Sequence, residues 1–125
     1  YTTFVPLQNI AQNIIKEQTE SIANMQEVLY NCSEVTNSDE DICLYQRQIH
    51  KIMQVMFSEM HNAPATNNIN ADFMKEMIPH HMGAIRMSEN ALRFSICPEL
   101  IPILKAIISS QKRGVQEMER LLQCI

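Results

Sequence analysis

The chain has 125 residues, a net charge of −4, two Gly, five Pro and no Trp. That length reads as one domain able to bury a moderate core, so folding need not depend on metals or crosslinks. The acidic balance argues against nucleic acid and anionic membrane surfaces as partners. No apolar run approaches the roughly 20 residues of a membrane span. The chain opens on Tyr1 instead of Met, which reads as a trimmed or mature form.

Scarce breakers and apolar residues spaced by three and four predict four helices. Helix 1 is expected from about residue 4 to 31, with Phe4, Leu7, Ala11, Ile14, Met25, Val28 and Cys32 on its stripe. The polar, acidic run from Ser33 to Asp41 reads as a loop, with Ser38 or Asp39 as the next N-cap. Helix 2 is expected over 40–61, with Ile42, Tyr45, Ile49, Ile52, Met53, Met56 and Met60 inward. Helix 3 follows over 71–94, capped by Asn70. The Cys97-Pro98-Glu99 connection puts Pro98 near the start of helix 4, over 98–123. The stripe of helix 4 is Leu100, Leu104, Ile107, Gln111, Val115, Met118 and Leu122. Three short connections imply an all-α, antiparallel, up-and-down four-helix bundle with one domain.

Helix 3 is the unusual element. Asp72 to Met87 holds four of the nine methionines and two of the four histidines. One stripe carries Phe73, Met77, His80, Ala84 and Met87; a second, beside it, carries Met74, His81 and Ile85. Thioethers and imidazoles stand where a bundle core normally has Leu, Ile and Val, and they suit copper. An inward His needs a hydrogen-bond partner or a metal. Pro79 stands just before the His pair and should bend the helix there.

Folding each hairpin about its loop brings Met53, Met56, Met77, His80, His81 and Met118 into one half of the bundle, with Met87 and Met25 farther along. Gly114 then falls level with His80, leaving room beside it. The plainer reading is that Met is a flexible core filler, that His50 is a surface or boundary residue, and that Met60, His61 and Met74 form a frayed, exposed end. A faint echo links Phe57-Ser58-Glu59-Met60 to Val115-Gln116-Glu117-Met118. It suggests that the first hairpin is a degenerate copy of the second, with Glu17 and Gln18 where the His pair stands.

Cys32, Cys43 and Cys97 fall at one end of the expected bundle and Cys124 at the other. Cys97 and Cys124 bracket a helix, on the order of 38 Å apart, and cannot pair within one bundle. Cys32–Cys43 is the natural bridge, with Cys97 able to compete for either partner. Such a bridge implies an oxidising compartment. The His pair is roughly 25 Å from that end, so these cysteines are not ligands of the same site.

Met77-Ile78-Pro79-His80-His81 with Met87 six residues after His81, then Pro98-Glu99-Leu100, Ile107-Ile108, Gln111 and Met118, resembles the bacterial domain of unknown function family 305. The resemblance is strongest over residues 72–122. It implies a ferritin-like four-helix bundle, usually exported, with some CopM-like members that look like periplasmic copper-binding proteins contributing to copper resistance. Carried over by position, Met77, His80, His81, Met87 and Met118 are the implied metal-binding residues. One departure is that Gly114-Val115 stands where the family commonly has Glu-Ile after the Gln of helix 4.

The leading expectation is an extracytoplasmic, non-enzymatic protein that binds copper, foremost Cu(I), through Met77, His80, His81, Met87, Met118, Met53 and Met56. Another divalent metal is the second choice, and homo-oligomerisation stays open. A carboxylate-bridged di-iron enzyme is disfavoured because no Glu-x-x-His occurs. The alternative from another class is a structural or interaction module with a Met-rich core or groove. That reading expects a dry core with His80 hydrogen-bonded to Gln111 or to a backbone carbonyl.

Overall fold

A computed structural model of the chain describes residues 4–32 and 35–125. It contains four helices: α1 (Val5–Asn31), α2 (Asp39–His61), α3 (Ile69–Ala91) and α4 (Leu100–Leu122). They pack antiparallel, with no strand among the described residues, as a four-helix bundle would. Of the loop expected at 33–41, residues 33 and 34 lie outside the described residues.

Local chemistry explains the helix boundaries. Pro6 occupies the first turn of α1, where a missing N–H costs nothing. The Ser38 hydroxyl accepts a hydrogen bond from the Asp41 N–H, and Asp39, Glu40 and Asp41 face the positive end of the α2 dipole. α3 starts two residues earlier than expected. The cap is Asn68, not Asn70, and its side chain accepts from the N–H groups of Asn70 and Ala71. Asp72 reinforces this start by accepting from the N–H and hydroxyl of Thr66. α3 also ends earlier, at Ala91, because the Arg93 and Phe94 N–H groups bond three residues back, to Asn90 and Ala91. That tighter turn releases Phe94, whose ring meets Tyr45 of α2 edge-on at 5.7 Å. α3 runs as a single helix through Pro79.

α3 is the central element. It packs on α2 along one side and on α4 along the other, and α1 packs on α4. α1 and α2 are consecutive in sequence, yet the main neighbour of α1 is α4. The core cluster joins Leu7 and Ile10 of α1, Met74 of α3, and Met118 and Leu121 of α4, with Phe4, Ile14, Phe73, Met77, Ile78 and Leu122 packed against it. α2, resting on α3, buries only Met56 fully, and Ile42, Tyr45 and Met53 of its expected stripe are exposed. Met56 lies over Gly83, where an added Cβ would come within 2.9 Å of Met56 Cγ and closer still to its sulfur. That contact and the hydrogen bond from Asn90 Nδ2 to the Tyr45 carbonyl fix how α2 lies along α3.

The disulfide is Cys32–Cys97, with Cα atoms 5.8 Å apart. Cys43 and Cys124 are free and exposed. This corrects the expected Cys32–Cys43 bridge. With α1 lying on α4, the end of α1 arrives beside the α3–α4 connection that carries Cys97. The bridge is suggestive of an oxidising, extracytoplasmic compartment. Among the described residues no helix is long and apolar enough to cross a membrane.

Candidate metal centre

The side of α3 that meets α4 buries Met74, His81, Ile85 and Ser88. These positions recur at intervals of seven, four and three residues, so they form one stripe. Facing them on α4 are Gln111, Val115, Met118 and Leu121, all buried. At the centre, His81 is only 2% exposed. Its ring rests against Gly114, where an added Cβ would lie 3.2 Å from Cδ2 and 3.6 Å from Nε2. Any larger residue at 114 would crowd the imidazole. The glycine at 114 is therefore what admits this ring.

Of the two histidines, His81 is the buried one and His80 is half-buried. Their ring centroids are 6.1 Å apart and their planes 62° apart. Burial pushes the His81 pKa below its ordinary 6.5 by penalising the charged ring. Hydrogen bonding to the backbone of Met77, one turn earlier, acts in the opposite sense, and the nearby His80 lowers the value further. Nδ1 of His81 is fully buried and has no hydrogen-bond partner of adequate geometry. A buried neutral imidazole whose nitrogen is only poorly matched carries a desolvation cost that a metal ion would reduce.

Thioethers stand one turn away on both helices. Met77 precedes His81 by four residues on α3, and Met118 follows Gly114 by four on α4, each about 6 Å along its helix. Met118 is 0% exposed, and Met77 packs against the cluster that contains it. A cleft of about 180 Å³ between α1 and α4 opens beside His81, with Gln111, Gly114, Glu17, Glu117 and Asn13 among its walls. The two carboxylates make part of this rim anionic, and Arg113 opposes them.

Met77 and Met118 thus pack in one cluster, one turn along their helices from His81 and Gly114, with His80 adjoining His81. The other expected residues lie elsewhere. Gly83, which carries Met56, is two residues from His81, so the two positions stand about 200° apart around α3. Met56 therefore sits on the opposite side of α3 from His81. Met53 is 37% exposed on α2. Met87 is half-buried, six residues beyond His81 and well around the helix from it. Met74, on the stripe of His81 and Ile85 but placed at an exposed end by the plainer reading, is 0% exposed. Its spacing of seven from His81 and three from Met77 was the available signal. The helical period does not reveal Glu17 and Glu117, although the hairpin echo had aligned Glu17 with the His pair.

A group of candidate ligand atoms for a metal ion lies at the disulfide. One ligand atom each from Cys32, Cys97 and Glu99 fall within 4.8 Å of one another. A Glu99 carboxylate oxygen is 2.7 Å from Cys97 Sγ.

Residues 4–122 match the family described as a domain of unknown function, DUF305. The chain belongs to the DUF305 family. The match takes in all four helices of this DUF305 protein, so the first hairpin is part of the family fold as much as the second. A search of curated proteins found no match.

The lowered pKa of His81 has a measurable consequence in the metal-free DUF305 protein. Because the folded value lies below the unfolded one, the unfolded chain takes up the proton first as pH falls. The stability carried by the neutral ring is whole above pH 6.5 and is lost progressively as pH falls from there through the lowered folded value. The urea midpoint should therefore drop between about pH 7.5 and about 5.5, and His81→Gln should flatten that slope. An equal slope in the variant would assign the pH dependence to other groups.

Proposed function

We propose that this DUF305 protein is an extracytoplasmic copper-binding protein that sequesters Cu(I), and that it binds metal without transforming a substrate. The imidazole of His81 and the thioethers of Met77 and Met118 supply one nitrogen and two soft sulfurs, a donor set that favours Cu(I). His80 stands by as an adjoining imidazole. The observation that carries the reading is the buried, neutral His81 resting on a glycine, its Nδ1 without a hydrogen bond of good geometry. Copper, when bound, would take the neutral imidazole as a ligand. The residues themselves hold the ring neutral by burying it and present the sulfurs one turn away. Glu17 and Glu117 would draw cations toward the cleft by their charge.

Met74, Met77 and Met118 packing with Leu7, Ile10 and Leu121 supports a second reading, a helical interaction module whose methionines only fill space. Cu(I) titration against a competing chelator separates the two. The chain should carry Cys43→Ser and Cys124→Ser and be kept in a reductant that leaves disulfides intact. His81→Ala, Met77→Leu and Met118→Leu should each weaken binding by at least about tenfold, since even partners of metal ligands are worth that much. The two Leu variants preserve volume and should stay within about 1.5 kcal/mol of native stability. Undiminished binding in all three variants would remove the copper from this centre. No binding by the native chain would put the interaction module first.

A further inference from the structure

The disulfide end of the molecule carries a feature that the copper centre does not use. Glu99 sits two residues after Cys97, on the turn that leads into α4, and holds a carboxylate oxygen 2.7 Å from Cys97 Sγ. A disulfide sulfur carries no hydrogen to donate, so in the oxidised state this carboxylate gains no hydrogen bond there. Cys97 is buried, Cys32 is half-buried and Glu99 is exposed. Two sulfurs and an oxygen therefore stand in a group with one side toward solvent.

We infer that, once the disulfide is reduced, Cys32, Cys97 and Glu99 form a second, thiol-gated site for a thiophilic divalent cation of the Zn²⁺ class. Zn–S bonds of about 2.3 Å and Zn–O bonds of about 2.0–2.2 Å place the ligand atoms of a tetrahedral ion roughly 3.3–3.8 Å from one another. The three atoms here already lie within 4.8 Å, and the two Cα atoms are 5.8 Å apart. Closing on one ion therefore needs the sulfurs to part and the carboxylate oxygen to draw back slightly from Cys97 Sγ, side-chain movements that leave the backbone in place. The fourth position faces solvent through Glu99.

The chemistry balances as two steps. A dithiol reductant gives two electrons and two protons to the Cys32–Cys97 bond, which breaks into two thiols while the reductant closes its own disulfide. The cation then replaces the two thiol protons, which go to solvent, and forms two metal–thiolate bonds and one metal–carboxylate bond. Either state ties the end of α1 to the α3–α4 connection, through a covalent bond or through the ion.

The test uses the full chain with Cys43→Ser and Cys124→Ser, so that Cys32 and Cys97 are its only cysteines. Co²⁺ is titrated in before and after reduction with a phosphine, followed by Zn²⁺ in competition. Thiolate-to-cobalt charge-transfer bands should appear only in the reduced protein and vanish with Zn²⁺. Glu99→Gln should weaken cobalt binding by at least about tenfold, while its oxidised form keeps the native helical signal. His81→Ala should leave the bands unchanged, so this result is independent of the copper reading. If reduction lowers the helical signal, Co²⁺ should restore it. Absent bands after reduction, affinity unmoved by Glu99→Gln, or bands without recovery of lost helix would each overturn the site.

Discussion

Cys32→Ser or Cys97→Ser is expected to cost the oxidised protein about 4 kcal/mol of stability, while Cys43→Ser costs almost nothing. The bridge spans a sequence separation of 65 residues. The chain-entropy estimate for a loop of that length is about 4 kcal/mol, against about 3 kcal/mol for the short loop that Cys32–Cys43 would have closed. α2 and α3 both lie inside the closed loop, so removing the bridge frees α1 from the rest of the chain over a long tether. Urea unfolding of the three variants under oxidising conditions checks this. A large loss in Cys43→Ser with little in Cys97→Ser would reinstate the shorter pairing.

Met118→Ala is the second large effect. Met118 is 0% exposed and joins α4 to Leu7 and Ile10 of α1 and Met74 of α3. Truncation removes transfer energy and leaves a cavity where three helices meet, a loss of about 2–5 kcal/mol. Met118→Leu keeps nearly the same volume and should lose less than about 1.5 kcal/mol. The contrast between the two separates packing from metal chemistry. Ala loses both, whereas Leu retains the packing and lacks only the thioether. If Met118→Leu destabilises as severely as Met118→Ala, shape at this position matters more than the sulfur, and its Cu(I) result must be corrected for lost fold. Thermal and urea unfolding of both variants, free of metal, provide the comparison.

The helical periods carried much of the fold. The stripe of α4 from Leu104 through Gln111, Val115 and Met118 is the buried face. The α3–α4 pairing predicted from the Cys97 turn was one residue from the observed contact, with Gly114 meeting His81 in place of His80. A short, tight connection leaves two antiparallel helices little freedom of register. The chemistry of helix 3, a His pair among methionines, was equally legible, because residue types are read directly.

The longer polar connections transmitted less. The register of α2 on α3 is fixed by Met56 settling on Gly83 and by Asn90 reaching the Tyr45 carbonyl, contacts that loop length does not encode. As a result Met56 went to the far side of α3, and Met53 and Met56 did not join Met77, His80, His81 and Met118 in the expected three-helix convergence. Two further outcomes needed the whole structure. Period alone puts His80 and His81 on adjacent stripes, and only the docking of α4 shows that His81 is the one enclosed. The partner of Cys32 depends on α1 choosing α4 as its neighbour. By itself, then, the sequence determined four antiparallel helices, the inward face of α4 and a Met/His-rich third helix, because these follow from local spacing and side-chain chemistry. The tertiary structure alone decided the buried histidine, the split of the methionines between two sides of α3 and the Cys32–Cys97 bridge, because each depends on which helices pack side by side.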